Sequence, residues 1–298
     1  MSKLLKGTEV SAALMEQLTA RAENLKTQGI RPTLAILRVG ENDSDIAYER
    51  GALKRASQAG VEVRQVILPE DLAEEAFHKT LEELNADPLV HGILMFRPLP
   101  SGIDDEKARA ALLPSKDVDG CTDGSLAGVF TGTEKGFAPC TAEAVMKILD
   151  HYGIDPCGKR AVVIGRSLVI GRPVAMMLMA RGATVTICHT KTKNVPEIAR
   201  EADILIAASG RPESINAAYV REGQVVIDVG VTFSEEKGKL VGDILFDEVE
   251  PIVTAITPVP GGVGAVTSTI LISHVISAAE NKKRSAIGQA ARTAIDGN

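Results

Sequence analysis

The chain has 298 residues, of which 45% are hydrophobic and 24% are charged, proportions that are typical of a globular protein with a substantial core. This composition excludes a disordered chain, a fibrous repeat and a small domain held together by disulfides. The 39 acidic and 33 basic residues give a net charge of −6, and only 3% of residues are aromatic, so we expect no nucleic-acid binding.

Segments with the period of a helix alternate with segments with the period of a strand from the start of the chain. The pattern predicts helices at 8–28, 44–59, 70–85, 141–152, 171–181, 194–201 and 266–281. It predicts strands at 33–39, 61–68, 90–96, 160–165, 183–188, 203–208 and 224–229, and a short run at 254–257. This order predicts an α/β fold of two units, each with a parallel sheet covered by helices, that join near residue 140.

Four cysteines, Cys121, Cys140, Cys157 and Cys188, are scattered along the chain without a metal-like spacing. We therefore expect them to be reduced, to be buried as small apolar side chains and to bind no metal. No apolar run approaches the ~18 residues that a membrane-spanning helix needs, and the N-terminus lacks the apolar segment of a signal peptide. These features predict a cytoplasmic protein that does not bind membranes.

A glycine-rich turn follows the strand predicted at 160–165. Gly165, Arg166 and Ser167 lie in this turn, and Gly171 opens the next helix. A pyrophosphate can bind to the unpaired N–H groups of a helix that begins in this way. The match to Gly-x-Gly-x-x-Gly is imperfect, because Ser167 takes the second glycine position and one extra residue precedes Gly171. A tight turn that binds no ligand therefore stays an alternative.

The end of the next strand indicates which dinucleotide binds. An NAD site usually has Asp or Glu at this point to bind the ribose hydroxyls, but the strand ends in Cys188-His189-Thr190-Lys191, without a carboxylate. Thr190, Lys191 and Arg166 instead offer a hydroxyl and positive charge, which suit the 2′-phosphate of NADP. The sequence favours NADP over NAD, with solvated surface charges as the alternative interpretation of Arg166 and Lys191.

Four motifs follow one another along the chain: Lys116-Asp117-Val118-Asp119-Gly120, Pro139-Cys140-Thr141, Gly165-Arg166-Ser167 and Thr257-Pro-Val-Pro-Gly261-Gly262-Val-Gly264. Their order and spacing resemble the methylenetetrahydrofolate dehydrogenase/cyclohydrolase family over nearly the whole chain. The resemblance implies an N-terminal folate-binding catalytic domain at 1–140, joined by the C-terminal helix at about 266–298. It also implies a Rossmann-like NADP domain at 141–265, a cleft between the two domains, and a homodimer that binds tetrahydrofolate derivatives.

The resemblance also implies roles for individual residues. Tyr48 and Asp119 would be catalytic and bind the folate ring system, and Pro260 and Gly261 would line its pocket. The nicotinamide would contact Thr141 and Val231. The phosphates and ribose of the cofactor would bind to Gly165, Arg166, Ser167, Gly171 and Thr190. The glycines of the Pro-Gly-Gly-Val-Gly loop would let the backbone approach a flat ligand. The alternative, a simple turn before a helix, does not explain three glycines flanked by Pro258 and Pro260.

The sequence departs from the family at positions that serve the second, hydrolytic activity. Bifunctional members carry a Tyr-x-x-x-Lys pair on one helix and a Gln two residues before a proline. After Tyr48 the lysine position holds Ala52, and the glutamine position holds Phe96. Lys54 points roughly 240° round the helix from Tyr48. Arg55 returns to the face of Tyr48, but a guanidinium cannot act as a base at neutral pH.

Hydride transfer requires mainly that the two reacting carbons are held together away from water, which needs no lysine. The sequence therefore predicts an NADP-dependent oxidation of 5,10-methylenetetrahydrofolate to 5,10-methenyltetrahydrofolate, with weak or absent cyclohydrolase activity. Two alternatives stay open. One is a bifunctional enzyme whose base is relocated, through Tyr48 and ordered water, and the other is an inactive homologue that binds folate or a nucleotide.

Overall fold

The protein forms two compact units in a computed structural model that describes residues 2–133 and 135–296. The first unit is built on Ala138–Ile270, and it also contains the chain up to Ala13 and a stretch that begins at Leu126. The second unit is built on Leu14–Ser125, and it also contains Lys135–Phe137 and the chain from Leu271. The expected α/β fold with two domains is confirmed. The domain boundaries at residues 140 and 265 stay a prediction, and residues 1, 134, 297 and 298 of the expected domains lie outside the described residues.

Strands and helices alternate along most of the chain. The strands are β1 (Lys3–Leu4), β2 (Thr33–Val39), β3 (Glu62–Leu68), β4 (Gly92–Met95), β5 (Arg160–Ile164), β6 (Thr184–Cys188), β7 (Ile204–Ala207), β8 (Val225–Asp228), β9 (Thr232–Ser234), β10 (Lys239–Val241) and β11 (Ala255–Ile256). The helices are α1 (Gly7–Thr27), α2 (Asp43–Ala59), α3 (Glu74–Ala86), α4 (Asp105–Ala111), α5 (Asp123–Thr131), α6 (Cys140–His151), α7 (Gly171–Ala180), α8 (Val195–Arg200), α9 (Phe246–Val249) and α10 (Gly264–Asp296), with a 3₁₀ turn at Ala217–Tyr219.

The first unit has a six-stranded parallel sheet in the order β1-β11-β8-β7-β5-β6. Its inner strands β5 and β7 are short apolar runs that are buried along almost their whole length, as expected for strands covered on both faces. The edge strand β6 alternates exposed residues with more buried ones. Because β7, β5 and β6 are parallel neighbours, the loops that follow them meet at one edge of the sheet.

The second unit has a three-stranded parallel sheet in the order β3-β2-β4. The central strand β2 buries five consecutive residues, and Phe77 and Leu81 of α3 pack with Leu37 and Ile93 of the sheet in one apolar core. The side chain of Asp104 caps α4 by accepting the N–H of Glu106 at 2.9 Å, a typical helix start. These contacts hold α3 and α4 beside the sheet.

Most of the predicted elements are confirmed, with two corrections to their bounds. The helix predicted from residue 70 begins at Glu74, because the N–H of Leu72 donates to the carbonyl of Pro69 at 3.2 Å and closes a turn. The helix predicted to end at 281 continues to Asp296. The sequence pattern missed the two-residue β1, the hairpin of β9 and β10, and the short helices α4, α5 and α9, which are too brief to show a period.

Within residues 2–133 and 135–296, no helix is long and apolar enough to cross a membrane. The same part of the chain holds no cluster of three or more His, Cys, Asp or Glu side chains that could bind a metal ion. All four cysteines are free, and Cys140 and Cys188 are buried. The expectation of a buried thiol is wrong for Cys157, which is exposed because it lies in the turn before β5.

Candidate active-site residues

A cavity of about 360 Å³ opens at the carboxyl edge of the six-stranded sheet. The loops that follow β5, β6 and β7 line it, together with Val195 at the start of α8, Ser214, Ile215, and Tyr219 of the 3₁₀ turn. Four of the predicted cofactor residues, Gly165, Arg166, Ser167 and Thr190, lie in this lining. The structure therefore brings together residues that two separate stretches of sequence contribute.

The turn after β5 can be built only with glycine. Gly165 has a φ of +132°, and a Cβ added there would lie 2.0 Å from the carbonyl oxygen of Ala208. A Cβ on Gly171, at the start of α7, would lie 2.3 Å from the carbonyl oxygen of Gly165. Gly171 does not line the cavity, so its visible role is to pack the helix start against the turn. This close packing presents the turn's backbone to the cavity, as a dinucleotide's pyrophosphate requires.

The cavity lining is positively charged. Arg166 and Arg211 are among the lining residues, and no Asp or Glu is. The sequence analysis missed Arg211, whose signal is the turn Ser209-Gly210-Arg211-Pro212 after a third neighbouring strand. Lys191, in contrast, does not line the cavity. The lining thus holds Arg211 as a second arginine beside Arg166, and the role predicted for Lys191 stays a prediction.

Two buried carboxylates hold the loops on this side of the sheet. Asp228 accepts the N–H groups of Gly230, Asp243 and Ile244, each at 3.0 Å. Asp243 accepts the N–H of Gly210 at 3.0 Å. Burial raises the pKa of Asp228 to about 7, although the backbone N–H donors oppose that shift. Sequence reasoning missed both carboxylates, which fix the loop before Val231 and the loop that carries Arg211.

The Pro-Gly-Gly-Val-Gly loop before α10 has its own structural requirements. Gly261 has a φ of +98° and open space around an added Cβ. A Cβ on Gly262 would lie 2.4 Å from the carbonyl oxygen of Pro258, and the N–H of Gly7 donates to the carbonyl of Gly261 at 2.8 Å. Backbone conformation explains the first glycine and packing explains the second, without a ligand. The open side of Gly261 leaves space beside the backbone for a flat molecule.

The predicted nicotinamide and folate residues of this unit lie outside the cavity. Thr141 is half-buried in the first turn of α6, and Val231 follows β8 and is 53% exposed. Neither of them is in the cavity lining, and Pro260 and Gly261 are not in it either. The cavity thus brings together four of the residues predicted to hold the phosphates and ribose of the cofactor. The residues predicted to contact the nicotinamide and the folate ring system do not line it.

In the second unit, Tyr48 lies on α2 against an apolar neighbour. The ring of Phe96 meets the ring of Tyr48 edge to face, with centroids 5.8 Å apart and planes at 85°. Ala52, one turn further along α2, is fully buried. Lys54 is exposed, and Arg55 donates to the side chain of Gln58 at 3.1 Å. The surroundings of Tyr48 on these two sides are therefore apolar.

A buried ion pair lies next to Tyr48 in the sequence. Arg38 of β2 donates to the carboxylate of Glu49 at 2.9 Å, and both side chains are almost completely buried. Gln65 of β3 donates to the other carboxylate oxygen, and Arg38 also donates to the carbonyl of Gly40. This network fastens α2 to the sheet, and sequence reasoning missed it because its members lie on three different elements.

Asp119 lies in a loop that other residues fix. Asp117 is fully buried and accepts the N–H groups of Gly120, Cys121 and Thr122. His274 of α10 donates from Nδ1 to the carbonyl of Val118 at 2.8 Å. The loop backbone is thus held on both sides of Asp119, which is itself only half-buried.

Arg97 is a charged neighbour of Asp119 that the sequence analysis did not single out. Its guanidinium pairs with the carboxylate of Asp105 through two hydrogen bonds. The hydrogen bond to Asp105 raises the pKa of Arg97, and the charge of Asp119 adds a smaller contribution in the same direction. A permanent positive charge therefore lies in the field of the predicted folate-binding carboxylate.

Comparison with known proteins identifies relatives over almost the whole chain. Residues 5–119 match the model of the tetrahydrofolate dehydrogenase/cyclohydrolase catalytic domain, and residues 139–283 match the model of its NAD(P)-binding domain. The bifunctional protein FolD of Carboxydothermus hydrogenoformans is 48% identical over 281 residues, which make up 94% of this chain and 98% of that protein.

Solved structures agree with these matches. The bifunctional enzyme FolD, a methylenetetrahydrofolate dehydrogenase/cyclohydrolase from Campylobacter jejuni, superposes with a TM-score of 0.92 at 39% identity, covering 95% of this chain and all of that one. The methylenetetrahydrofolate dehydrogenase-cyclohydrolase of Trypanosoma brucei, complexed with NADP and an inhibitor, has a TM-score of 0.89 at 33% identity, covering 95% of this chain and 99% of that one.

Proposed function

The chain belongs to the tetrahydrofolate dehydrogenase/cyclohydrolase family, and from this premise we propose that it oxidises 5,10-methylenetetrahydrofolate to 5,10-methenyltetrahydrofolate with little or no cyclohydrolase activity. The protein is an enzyme and its cofactor is NADP, in line with the NAD(P)-binding domain and the NADP-bound relative. The loss of the second activity is the finer part of the proposal, because the relatives named above are called bifunctional.

The cavity at the edge of the six-stranded sheet fits NADP. A Cβ on Gly165 would fill the space at the turn, so that turn is a cradle in which a pyrophosphate can contact the backbone. The guanidinium of Arg166 and the hydroxyl of Thr190 suit the 2′-phosphate, and no carboxylate lines the cavity to repel it. When bound there, NADP supplies the acceptor for the hydride.

The chain's own residues have the task of binding and orientation in the first reaction. We assign Tyr48 and Asp119 to the folate ring system, Pro260 and Gly261 to the lining of its pocket, and Thr141 and Val231 to the nicotinamide. The fixed loop around Asp119 and the open side of Gly261 support these roles. None of these roles requires a group that takes up a proton.

The observation that carries the proposal is the apolar contact between Tyr48 and Phe96. The hydrolytic step needs a group that delivers water and another that moves a proton. Phe96 packs against Tyr48 at 5.8 Å, and Ala52 is fully buried one turn away. Neither side chain can hydrogen-bond a water molecule or exchange a proton at neutral pH. The two positions therefore supply neither of the groups that hydrolysis needs, and hydride transfer needs neither of them.

The test is one assay on the purified protein that follows two signals together. NADPH formation from methylenetetrahydrofolate reports the dehydrogenase, and the decay of added methenyltetrahydrofolate reports the cyclohydrolase. We expect the first to depend on the enzyme and the second to stay near the rate in buffer alone. Enzyme-dependent decay as fast as NADPH formation would instead establish the bifunctional alternative that the names of the relatives favour.

We also propose that the protein is a homodimer in the cytoplasm. The four free cysteines suit a reducing compartment. Sedimentation equilibrium of the purified chain tests the dimer, because a monomer of 31.5 kDa and its dimer differ twofold in mass.

A further inference from the structure

We infer that Arg211 is a second ligand for the 2′-phosphate of NADP and, with Arg166, determines the preference for NADP over NAD. The inference rests on the proposed NADP site and names a residue of that site which the sequence motifs do not include. Arg211 lies in the loop after β7, whereas Arg166 follows β5 and Thr190 follows β6. Three neighbouring strands thus each present one candidate ligand to the same cavity.

The loop that carries Arg211 is held firmly by its backbone. The N–H of Arg211 donates to Oγ of Ser209 at 3.1 Å, and Oγ of Ser214 donates to the carbonyl of Arg211 at 2.9 Å. The N–H of Gly210 donates to the buried carboxylate of Asp243 at 3.0 Å. These bonds use only the backbone of Arg211, so its guanidinium is not needed to hold the loop, and Arg211 lines the cavity.

The charges around the cavity favour an anion with two negative charges. Glu213 is the carboxylate closest to Arg211 in the sequence, and Asp243 is hydrogen-bonded to the loop that carries Arg211. Asp243 accepts from Gly210, and Glu213 pairs with Lys237 at 2.5 Å. Among the described side chains no carboxylate forms an ion pair with Arg166 or Arg211. Two unneutralised guanidiniums in one concavity match a phosphomonoester, which carries about two charges and offers three acceptor oxygens.

The 2′-phosphate fits this pair of arginines better than the other phosphates of the cofactor. A pyrophosphate between a β-strand and a helix is held mainly by backbone N–H groups of the turn and the helix start, which the Gly165 turn and α7 provide. A terminal phosphate at the ribose has no such backbone donors and depends on side chains. Lys191 is the competing cation. It is exposed, as Arg166 and Arg211 are, but unlike them it lies outside the cavity lining.

The experiment measures binding of 2′,5′-ADP and of ADP to the whole protein by calorimetry. The two probes have the same base and the same number of phosphates, and only the first has a phosphate on the 2′ position. Arg211→Gln should weaken 2′,5′-ADP roughly tenfold or more, as expected for a lost charged hydrogen bond, and should leave ADP nearly unchanged. The matched control is Arg160→Gln, which removes an exposed arginine from the amino end of β5 and should change neither affinity.

Each other outcome overturns a defined part of the inference. Equal weakening of both probes would place Arg211 at the 5′-phosphate or the adenine, which the two probes share. Loss of 2′,5′-ADP affinity in Lys191→Gln and not in Arg211→Gln would return the role to Lys191. The probes contain neither nicotinamide nor folate, so they report on Arg211 even if the proposed dehydrogenase activity fails. An unmodified protein that binds ADP as tightly as 2′,5′-ADP would refute the 2′-phosphate site itself.

Discussion

Introducing polar side chains at positions 52 and 96 tests the proposal that Ala52 and Phe96 leave this protein with little or no hydrolytic activity. The series consists of the parent, Ala52→Lys, Phe96→Gln and the double variant. We expect methenyltetrahydrofolate hydrolysis near the buffer rate in the parent, little gain in either single variant, and a gain of about 10²-fold or more in the double variant, the scale of general acid–base catalysis.

The structure explains why the two changes should depend on each other. Ala52 is fully buried, so a lysine there alone overpacks the site, at a typical cost of about 1–3 kcal/mol. Its amine would also meet the apolar ring of Phe96, which lowers the pKa of the amine without supplying water. Phe96→Gln alone gives up the edge-to-face contact with Tyr48, worth about 0.5–1.5 kcal/mol, and buries an amide that lacks a partner. Together the amine and the amide can bind one another or share a water molecule.

The assay follows the loss of methenyltetrahydrofolate, with NADPH formation and the unfolding midpoint measured on the same samples. A coupling of about 0.5–3 kcal/mol is typical of residues in contact, so the double variant should be more stable than the sum of the single changes. Ala47→Lys is the matched control, because it adds the same charge to an exposed position of α2. Robust hydrolysis by the parent would refute the reasoning and assign the chemistry to Tyr48 or Arg55. A double variant no faster than the singles would show that these two positions do not account for the proposed lack of hydrolysis.

Three further predictions concern the cofactor turn and stability. Arg166→Ala should raise the KM for NADP roughly tenfold or more, and that for NAD little, and parent kinetics that are equal with both cofactors would contradict it. Gly165→Ala should cost more stability than Gly153→Ala in thermal unfolding, since both glycines have a positive φ but only the first meets a neighbour, the Ala208 carbonyl at 2.0 Å. Burial, aided by two nearby lysines, lowers the pKa of His91 from 6.5 to about 4. Because the unfolded chain then binds the extra proton, stability falls as the pH drops from 6.5 towards 4, by at most about 3 kcal/mol. His91→Gln should flatten that part of the pH profile in urea unfolding, and an unchanged profile would exclude His91 as its cause.

The sequence predicted the features that are local in the chain. Strand, glycine turn and helix follow each other without interruption from β5 to α7, so Gly165 and Gly171 could be placed from the pattern alone. Arg211 could not be placed in this way, because its position at the cavity depends on β7 being the neighbour of β5 in the sheet. Strand order is a long-range property that periodicity does not contain.

Buried polar groups were missed for the same physical reason. Arg38 and Glu49 each look like solvated charges in the sequence, and only the packing of α2 on β2 shows that they neutralise each other in the core. In the Lys-Asp-Val-Asp-Gly motif, both aspartates are equally plausible ligands by sequence. Packing distinguishes them. The two carboxylate oxygens of Asp117 accept hydrogen bonds from three backbone N–H groups, whereas Asp119 is half-exposed.

The construction of the two units explains how one activity can be lost while the other persists. The cofactor cavity is formed entirely by residues of the unit built on Ala138–Ile270. Ala52 and Phe96 belong to the apolar interior of the other unit, beside Tyr48. A lysine and a glutamine at these positions would have to be desolvated to function, which costs stability unless each finds a partner. Replacing them by alanine and phenylalanine removes that cost and adds an aromatic contact. Selection for stability therefore favours the apolar pair as soon as hydrolysis is no longer needed, and the double variant should regain hydrolysis at the expense of about 1–3 kcal/mol of stability.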